Sequence, residues 1–130
     1  MSIPLLYLDT NALIYLLEQH ELYSDKVASI LESHVSSGGE LIASVVAITE
    51  FLAGTPLTNL SIIYKIPRLH FVPLDEALAE KAALLQRETK LQIGDAVHLA
   101  TAIHAQASHF FTNDKQLLNT AAKYLPVKTL

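Results

Sequence analysis

The 130-residue sequence contains no cysteine. Disulfides, thiolate nucleophiles and cysteine-ligated zinc are thereby excluded, and a reducing cytoplasm is compatible with the chain. Basic residues are scarce: nine Lys and Arg stand against thirteen Asp and Glu, for a formal charge of -4. A net field of that sign does not attract a polyanion or an anionic membrane, so any nucleic-acid binding requires local basic residues or a bound metal ion. No uninterrupted apolar run reaches the roughly 18 residues of a membrane span. The amino terminus lacks the basic flank of a signal peptide, and Asp9 interrupts its apolar run. Repeats, linkers and low-complexity stretches are also missing, so the expectation is one soluble, cytoplasmic domain over residues 1–130 with no membrane association.

What the sequence has in surplus is apolar side chain, 51% of residues with a mean hydropathy of +0.32. A buried parallel sheet consumes part of that excess, and a protein partner or a second copy is expected to cover the rest.

The most informative stretch runs from Ile3 to Asn11. Its apolar run stops at Asp9-Thr10-Asn11 and resumes as Ala12-Leu13-Ile14-Tyr15-Leu16-Leu17. This reads as a buried strand that delivers Asp9 at its carboxyl end, followed by an apolar helix. A carboxylate beside a core is costly unless it is paired, hydrogen-bonded or metal-bound. The simpler alternative is that Asp9 or Asn11 only caps the helix.

The same alternation continues along the chain. A helix capped by Ser24 ends at Gly38-Gly39, and a strand over 41–46 merges into a helix over 47–53, stopped by Gly54. A turn at Thr55-Pro56 leads into a helical segment over 60–66. A third strand covers 69–73, and Asp75 caps a long amphipathic helix with Leu78, Ala82 and Leu85 on its buried face. After a loop over 89–93, Gly94-Asp95 opens a helix over 96–107. A fourth strand over 109–112, a helix from Lys115 and an edge strand over 126–129 complete the chain. The expected fold is α/β, a central parallel sheet of four or five strands with helices on both faces.

In such a sheet ligands bind beyond the carboxyl ends of the strands. Asp9 and Asp114 each follow a strand, Asp95 lies in the first turn of a helix, and Glu50 approaches from the helix after the second strand. Four acids from separate segments repel one another unless a cation joins them. Oxygen ligands without cysteine favour Mg²⁺ or Mn²⁺ over zinc, and such a centre suits phosphodiester hydrolysis by metal-activated water.

Leu8-Asp9-Thr10-Asn11, Thr49-Glu50-Phe51-Leu52-Ala53-Gly54, Asp95-Ala96-Val97-His98-Leu99-Ala100-Thr101-Ala102 and Thr112-Asn113-Asp114-Lys115 resemble, in order, the four motifs of the PIN-domain ribonucleases. Together the motifs cover essentially the whole chain, and the likeness is to the VapC-like toxins of toxin–antitoxin pairs. The resemblance implies a PIN-like domain acting as a Mg²⁺- or Mn²⁺-dependent endoribonuclease on an RNA substrate. It implies Asp9, Glu50, Asp95 and Asp114 as the catalytic acids, and a homodimer inhibited by a small antitoxin protein. Asp9 and Asp95 are the expected direct metal ligands, with Glu50 binding metal or positioning water. The fourth position varies within the family, so Asp114 is expected to tune the site.

Supporting roles are expected of the polar neighbours. Thr10 and Asn11 would hold a ligand water or orient Asp9, with helix capping as the alternative. Thr112 and Asn113 would hydrogen-bond the site or simply end a strand. Lys115, beside Asp114, is the best placed basic residue for an RNA phosphate, ahead of the pairs Lys65 with Arg68 and Arg87 with Lys90. His98 and His104 lie on an otherwise apolar helix and His20, His34, His70 and His109 are scattered, so all six read as structural or surface residues. Two other classes fit the sequence less well. A phosphatase of the haloacid dehalogenase type would carry a second Asp where Asn11 stands, and lacks here its later Lys motif. A catalytically silent binding module would not need all four acids.

Overall fold

β1 (Leu5–Leu8) carries only uncharged, mostly apolar side chains and occupies the middle of the sheet. A strand covered on both faces has to be apolar on both, which is why no polar alternation runs along it. β2 (Glu40–Ser44) pairs with one side of β1, Leu6 opposite Leu41, and β4 (His109–Phe111) with the other, Tyr7 opposite Phe110. β3 (Leu69–Val72) lies beyond β2 and β5 (Val127–Lys128) beyond β4. The order is β3-β2-β1-β4-β5 and every pairing is parallel. This computed structural model describes residues 2–18, 23–54 and 61–130.

Among the described residues six α-helices cover the sheet: α1 (Thr10–Leu17), α2 (Ser24–Ser36), α3 (Val46–Ala53), α4 (Glu76–Thr89), α5 (Ile93–His104) and α6 (Lys115–Ala121). Alternate strand residues sort the core into two layers, as the pleat requires. Leu6, Leu8, Leu41 and Phe111 pack against Leu13 of α1, Val27 and Leu31 of α2 and Phe51 of α3. Tyr7, Ile42 and Phe110 point the other way, onto Leu78 and Ala82 of α4, Leu99 of α5 and Leu117 of α6. Each fully buried Leu or Phe contributes roughly 1.5–3 kcal/mol relative to its exposed state. The expected α/β fold with helices on both faces is therefore the observed one.

Several boundaries differ from the sequence expectation for identifiable reasons. β2 stops at Ser44 because the Ser44 hydroxyl accepts from the Val46 N–H at 3.1 Å and turns the chain into α3. Ser24 is the first helical residue of α2, behind Tyr23 at the cap position, and makes no side-chain cap. The segment expected as α-helical over 60–66 is a short 3₁₀ helix, Ile62–Lys65; Leu60 and the Thr55-Pro56 turn lie outside the described residues. Asp75 caps α4 as expected, accepting from the Leu78 N–H at 2.8 Å. α4 ends on Lys90 in the left-handed conformation, φ 64°, and α5 begins three residues later at Ile93.

The strand order sets the place of the site. From β1 the chain first builds outward through β2 and β3, then returns to the other side through β4 and β5. That reversal opens a crevice beyond the carboxyl ends of β1 and β4.

Candidate active site

Asp9 and Thr112 are the first residues past β1 and β4, so the pairing that continues from Asp9 N–H to the Phe111 carbonyl (3.2 Å) sets them side by side. Asp9 occupies the N-cap position of α1, yet its side chain makes no cap hydrogen bond. Instead its Oδ2 accepts from Thr112 Oγ1 at 2.7 Å. The carboxylate that reads as a helix cap in the sequence is thus turned into the crevice. Asp9 is 4% exposed, and among the described residues no Lys or Arg is ion-paired with it.

Thr112 Oγ1 also accepts from the Asp114 N–H at 3.1 Å, so one buried hydroxyl links the ends of both strands to the loop that carries the next acid. Asp114 caps α6 by accepting from the Leu117 N–H at 3.1 Å. Lys115, the first residue of α6, is exposed beside it. Asn113 Oδ1 accepts from Thr129 Oγ1 at 3.3 Å, and Asn11 is exposed in the first turn of α1.

Asp95 lies in the first turn of α5. Its carboxyl is pushed above the ordinary value, first by burial and then by the charges of Asp9 and Asp114; Glu50 adds to the rise and His98 opposes it. The charges of the other three acids therefore all reach Asp95. Glu50 has the opposite environment. Its Oε1 accepts from His98 Nε2 at 2.7 Å and from Thr10 Oγ1 at 2.7 Å. The His98 hydrogen bond chiefly holds this carboxyl below the ordinary value, against the effect of burial and with help from Thr10. Thr10, expected to orient Asp9 or a water, orients Glu50 instead.

His98 is the residue the sequence did not single out. It is buried, with Nδ1 2.6 Å from the Tyr7 hydroxyl and Nε2 on Glu50. Burial keeps the Tyr7 phenol well above its usual ionisation range. A signal existed: His98 follows Asp95 by three residues, which on a helix places both on one face.

Among the described residues no three Asp, Glu or His side chains gather into a cluster that could hold a metal ion. Glu50 is turned toward Thr10 and His98, and Asp114 serves α6. A magnesium ion takes only one or two carboxylates directly and completes its shell with water. The donor chemistry fits such an ion: Asp9 is a buried carboxylate without a cationic partner among the described residues, and Asp95 is disfavoured as an anion first by burial and then by its neighbours. Asp9 and Asp95 are the pair that would hold it.

The basic pairs fall differently. Arg68 precedes β3 at the amino end of the sheet and pairs with Glu40 at 3.7 Å, away from the acids. Lys65 lines an apolar groove of about 460 Å³ with Leu16, Leu31, Val35 and Ile66, in which none of the four acids takes part.

A model of the PIN domain family matches residues 6–123. The chain belongs to the PIN-domain family. This PIN domain is similar in fold to VapBC2 from Rickettsia felis, solved with a DNA fragment from its promoter: TM-score 0.75, 16% identity, 96% of this chain and 98% of that one. It is similar to a toxin–antitoxin complex from Klebsiella pneumoniae, with TM-score 0.65 and 22% identity over 85% of this chain and 86% of that one. It also matches FitAcB from Neisseria gonorrhoeae, with TM-score 0.64 and 16% identity over 95% of each chain. No curated protein sequence matches the chain. At these identities the solved structures speak to the fold of the PIN domain, whose family is one of nucleases.

Proposed function

We propose that this PIN domain is a Mg²⁺- or Mn²⁺-dependent endoribonuclease and the toxin of a toxin–antitoxin pair. The observation that carries the reading is Asp9 itself, a buried acid at the end of β1 held by Thr112 and, among the described residues, unpaired with any Lys or Arg. Burial and the charges of Asp9 and Asp114 around Asp95 support it, since a divalent cation in the crevice would relieve them. When bound, such an ion supplies an activated water and stabilises charge developing on the phosphoryl oxygens.

Each residue then has a task. Asp9, fixed by Thr112, and Asp95 hold the ion. Glu50 positions water with its carboxylate anchored through Oε1, and Asp114 adjusts the charge of the pair. Lys115, exposed at the start of α6, meets an RNA phosphate and supplies locally the positive charge that the molecule as a whole lacks. Water would attack phosphorus as one P–O ester bond breaks, with a proton of that water ending on the departing oxygen and no covalent enzyme intermediate.

The toxin role draws on the fold relatives, among them VapBC2 and a toxin–antitoxin complex from Klebsiella pneumoniae. An antitoxin that inserts a basic side chain among the acids would compete with the metal ion. Dimerisation and a cytoplasmic location complete the proposal, and sedimentation of the purified chain tests the former.

The deciding experiment is cleavage of end-labelled RNAs by purified protein with Mg²⁺, with Mn²⁺ and with chelator, beside Asp95→Asn prepared identically. Metal-dependent cuts that disappear in the variant are the expected outcome. Absence of both cleavage and metal binding by the wild type would overturn the nuclease reading in favour of a protein-binding module.

A further inference from the structure

A buried hydrogen-bonded chain runs from the middle of the sheet to the site. Tyr7 sits at the centre of β1, fully buried, its ring stacked on Phe110 with centroids 5.2 Å apart and edge-on to the His98 ring at 5.8 Å. The Tyr7 hydroxyl accepts from the Ser44 N–H at 3.0 Å. With that bond made, its own proton is directed to His98 Nδ1, 2.6 Å away. An imidazole that accepts at Nδ1 carries its proton on Nε2, and that nitrogen faces Glu50 Oε1 at 2.7 Å. Thr10 Oγ1 donates to the same oxygen at 2.7 Å and lies 3.0 Å from Nε2.

The two ends of this chain differ. Every inner member is buried, whereas the Glu50 side chain at the outer end is 41% exposed. A polar cluster serving only the core would close on buried groups. This one terminates on a site acid and occupies only one of its oxygens. The other, Oε2, stands 3.0 Å from where a Cβ on residue 94 would be, room that exists because position 94 is glycine. Gly94 is the second residue of α5, immediately before Asp95, so the oxygen that has no hydrogen-bond partner among the described residues is presented to the backbone that carries the next acid. The sequence spacing is consistent with one device: Tyr7 two residues before Asp9, Thr10 directly after it, His98 one helical turn after Asp95.

We propose that His98, locked by Tyr7, is a positioning residue that fixes the Glu50 carboxylate through Oε1 and so aims Oε2 into the acidic crevice. The inference rests on the nuclease reading given above. Side chains that hydrogen-bond and orient the groups of a metal site matter by about 10–100-fold in metal affinity or activity.

The test compares His98→Leu, which keeps bulk without a donor, with His98→Gln, which offers an amide N–H near the position of Nε2. Mn²⁺ affinity is read by calorimetry without RNA, and kcat and KM are read separately on a cleavable RNA. His98→Leu is expected to weaken Mn²⁺ binding and lower kcat by about 10–100-fold with little change in KM, and His98→Gln to recover most of both. Wild-type values in a folded His98→Leu, or equal losses in both variants, would overturn the proposal while leaving the nuclease reading in place. Should His98→Leu fail to fold, Tyr7→Phe carries the test. It keeps the stack on Phe110, and unchanged Mn²⁺ affinity and kcat there would overturn the proposal. A wild type that neither binds Mn²⁺ nor cleaves RNA would remove the nuclease reading and this inference with it.

Discussion

Thr112 Oγ1 donates to Asp9 Oδ2 at 2.7 Å, joining across 103 residues of sequence the ends of two strands that are neighbours in the sheet. The bond gives a buried carboxylate its hydrogen-bond donor and makes the geometry of the crevice part of the sheet. Thr112→Val keeps the shape, strands Asp9 and removes the acceptor for the Asp114 N–H. A hydrogen bond to a charged group contributes about 1.5–3 kcal/mol, so a loss in that range is expected in urea unfolding, with reduced metal affinity. Thr112→Ser should restore both. A Val variant as stable as the wild type would mean that Asp9 finds another partner.

Gly94→Ala separates fold from function in the opposite sense. Alanine is favoured over glycine inside a helix by about 1 kcal/mol, and residue 94 lies within the first turn of α5. Its Cβ would stand 3.0 Å from Glu50 Oε2 while Oε1 is held by two donors, so the carboxylate has to rotate. Thermal unfolding should show equal or higher stability, and cleavage should fall several-fold. Full activity in this variant would show that the orientation of Oε2 does not matter.

These two cases mark what can be read in the sequence. Apolar runs with an abrupt polar stop reveal β1 and β4, and with them Asp9 and Asp114, because burial on both faces of a parallel strand leaves a one-dimensional trace. Asp95 is legible for a similar reason, as an acid in a helix's first turn. The partner of Glu50 is not. His98 lies 48 residues away, and its direction depends on Tyr7 accepting from the Ser44 N–H, a bond that exists only once β1 and β2 are in register. Ser44 hides likewise inside an apolar run; its hydroxyl ends β2 two residues before the run does.

The pH dependence of the metal-free protein follows from Asp95. Its folded-state pKa lies above the ordinary 3.8, because of burial and then Asp9 and Asp114. A raised carboxyl favours folding below the unfolded value and loses that contribution as pH rises through the folded one. In chelator, Asp95→Asn should therefore melt higher than the wild type at pH 7, and this advantage should shrink toward pH 4. The gain is no more than about 1 kcal/mol, since Asp95 is only partly buried and water screens the repulsion. Mn²⁺ should raise the wild-type midpoint and leave the variant's nearly unchanged. An advantage for the variant that grows on acidification would contradict the sign.

Asp114 holds two positions at once, helix cap and fourth acid, and a matched control divides them. Asp114 accepts from the Leu117 N–H, and Asp75 accepts from the Leu78 N–H at the start of α4. Losing a cap costs typically about 1 kcal/mol, so Asp114→Ala and Asp75→Ala should show similar destabilisation in urea. Only the former lies at the crevice, where its charge raises the Asp95 carboxyl. Asp114→Asn preserves a cap acceptor while removing that charge; it should be nearly as stable as the wild type and lose RNA cleavage by less than Asp95→Asn does. If Asp114→Asn instead abolishes cleavage as completely as Asp95→Asn, Asp114 is a required ligand and its capping bond must open when the metal ion binds.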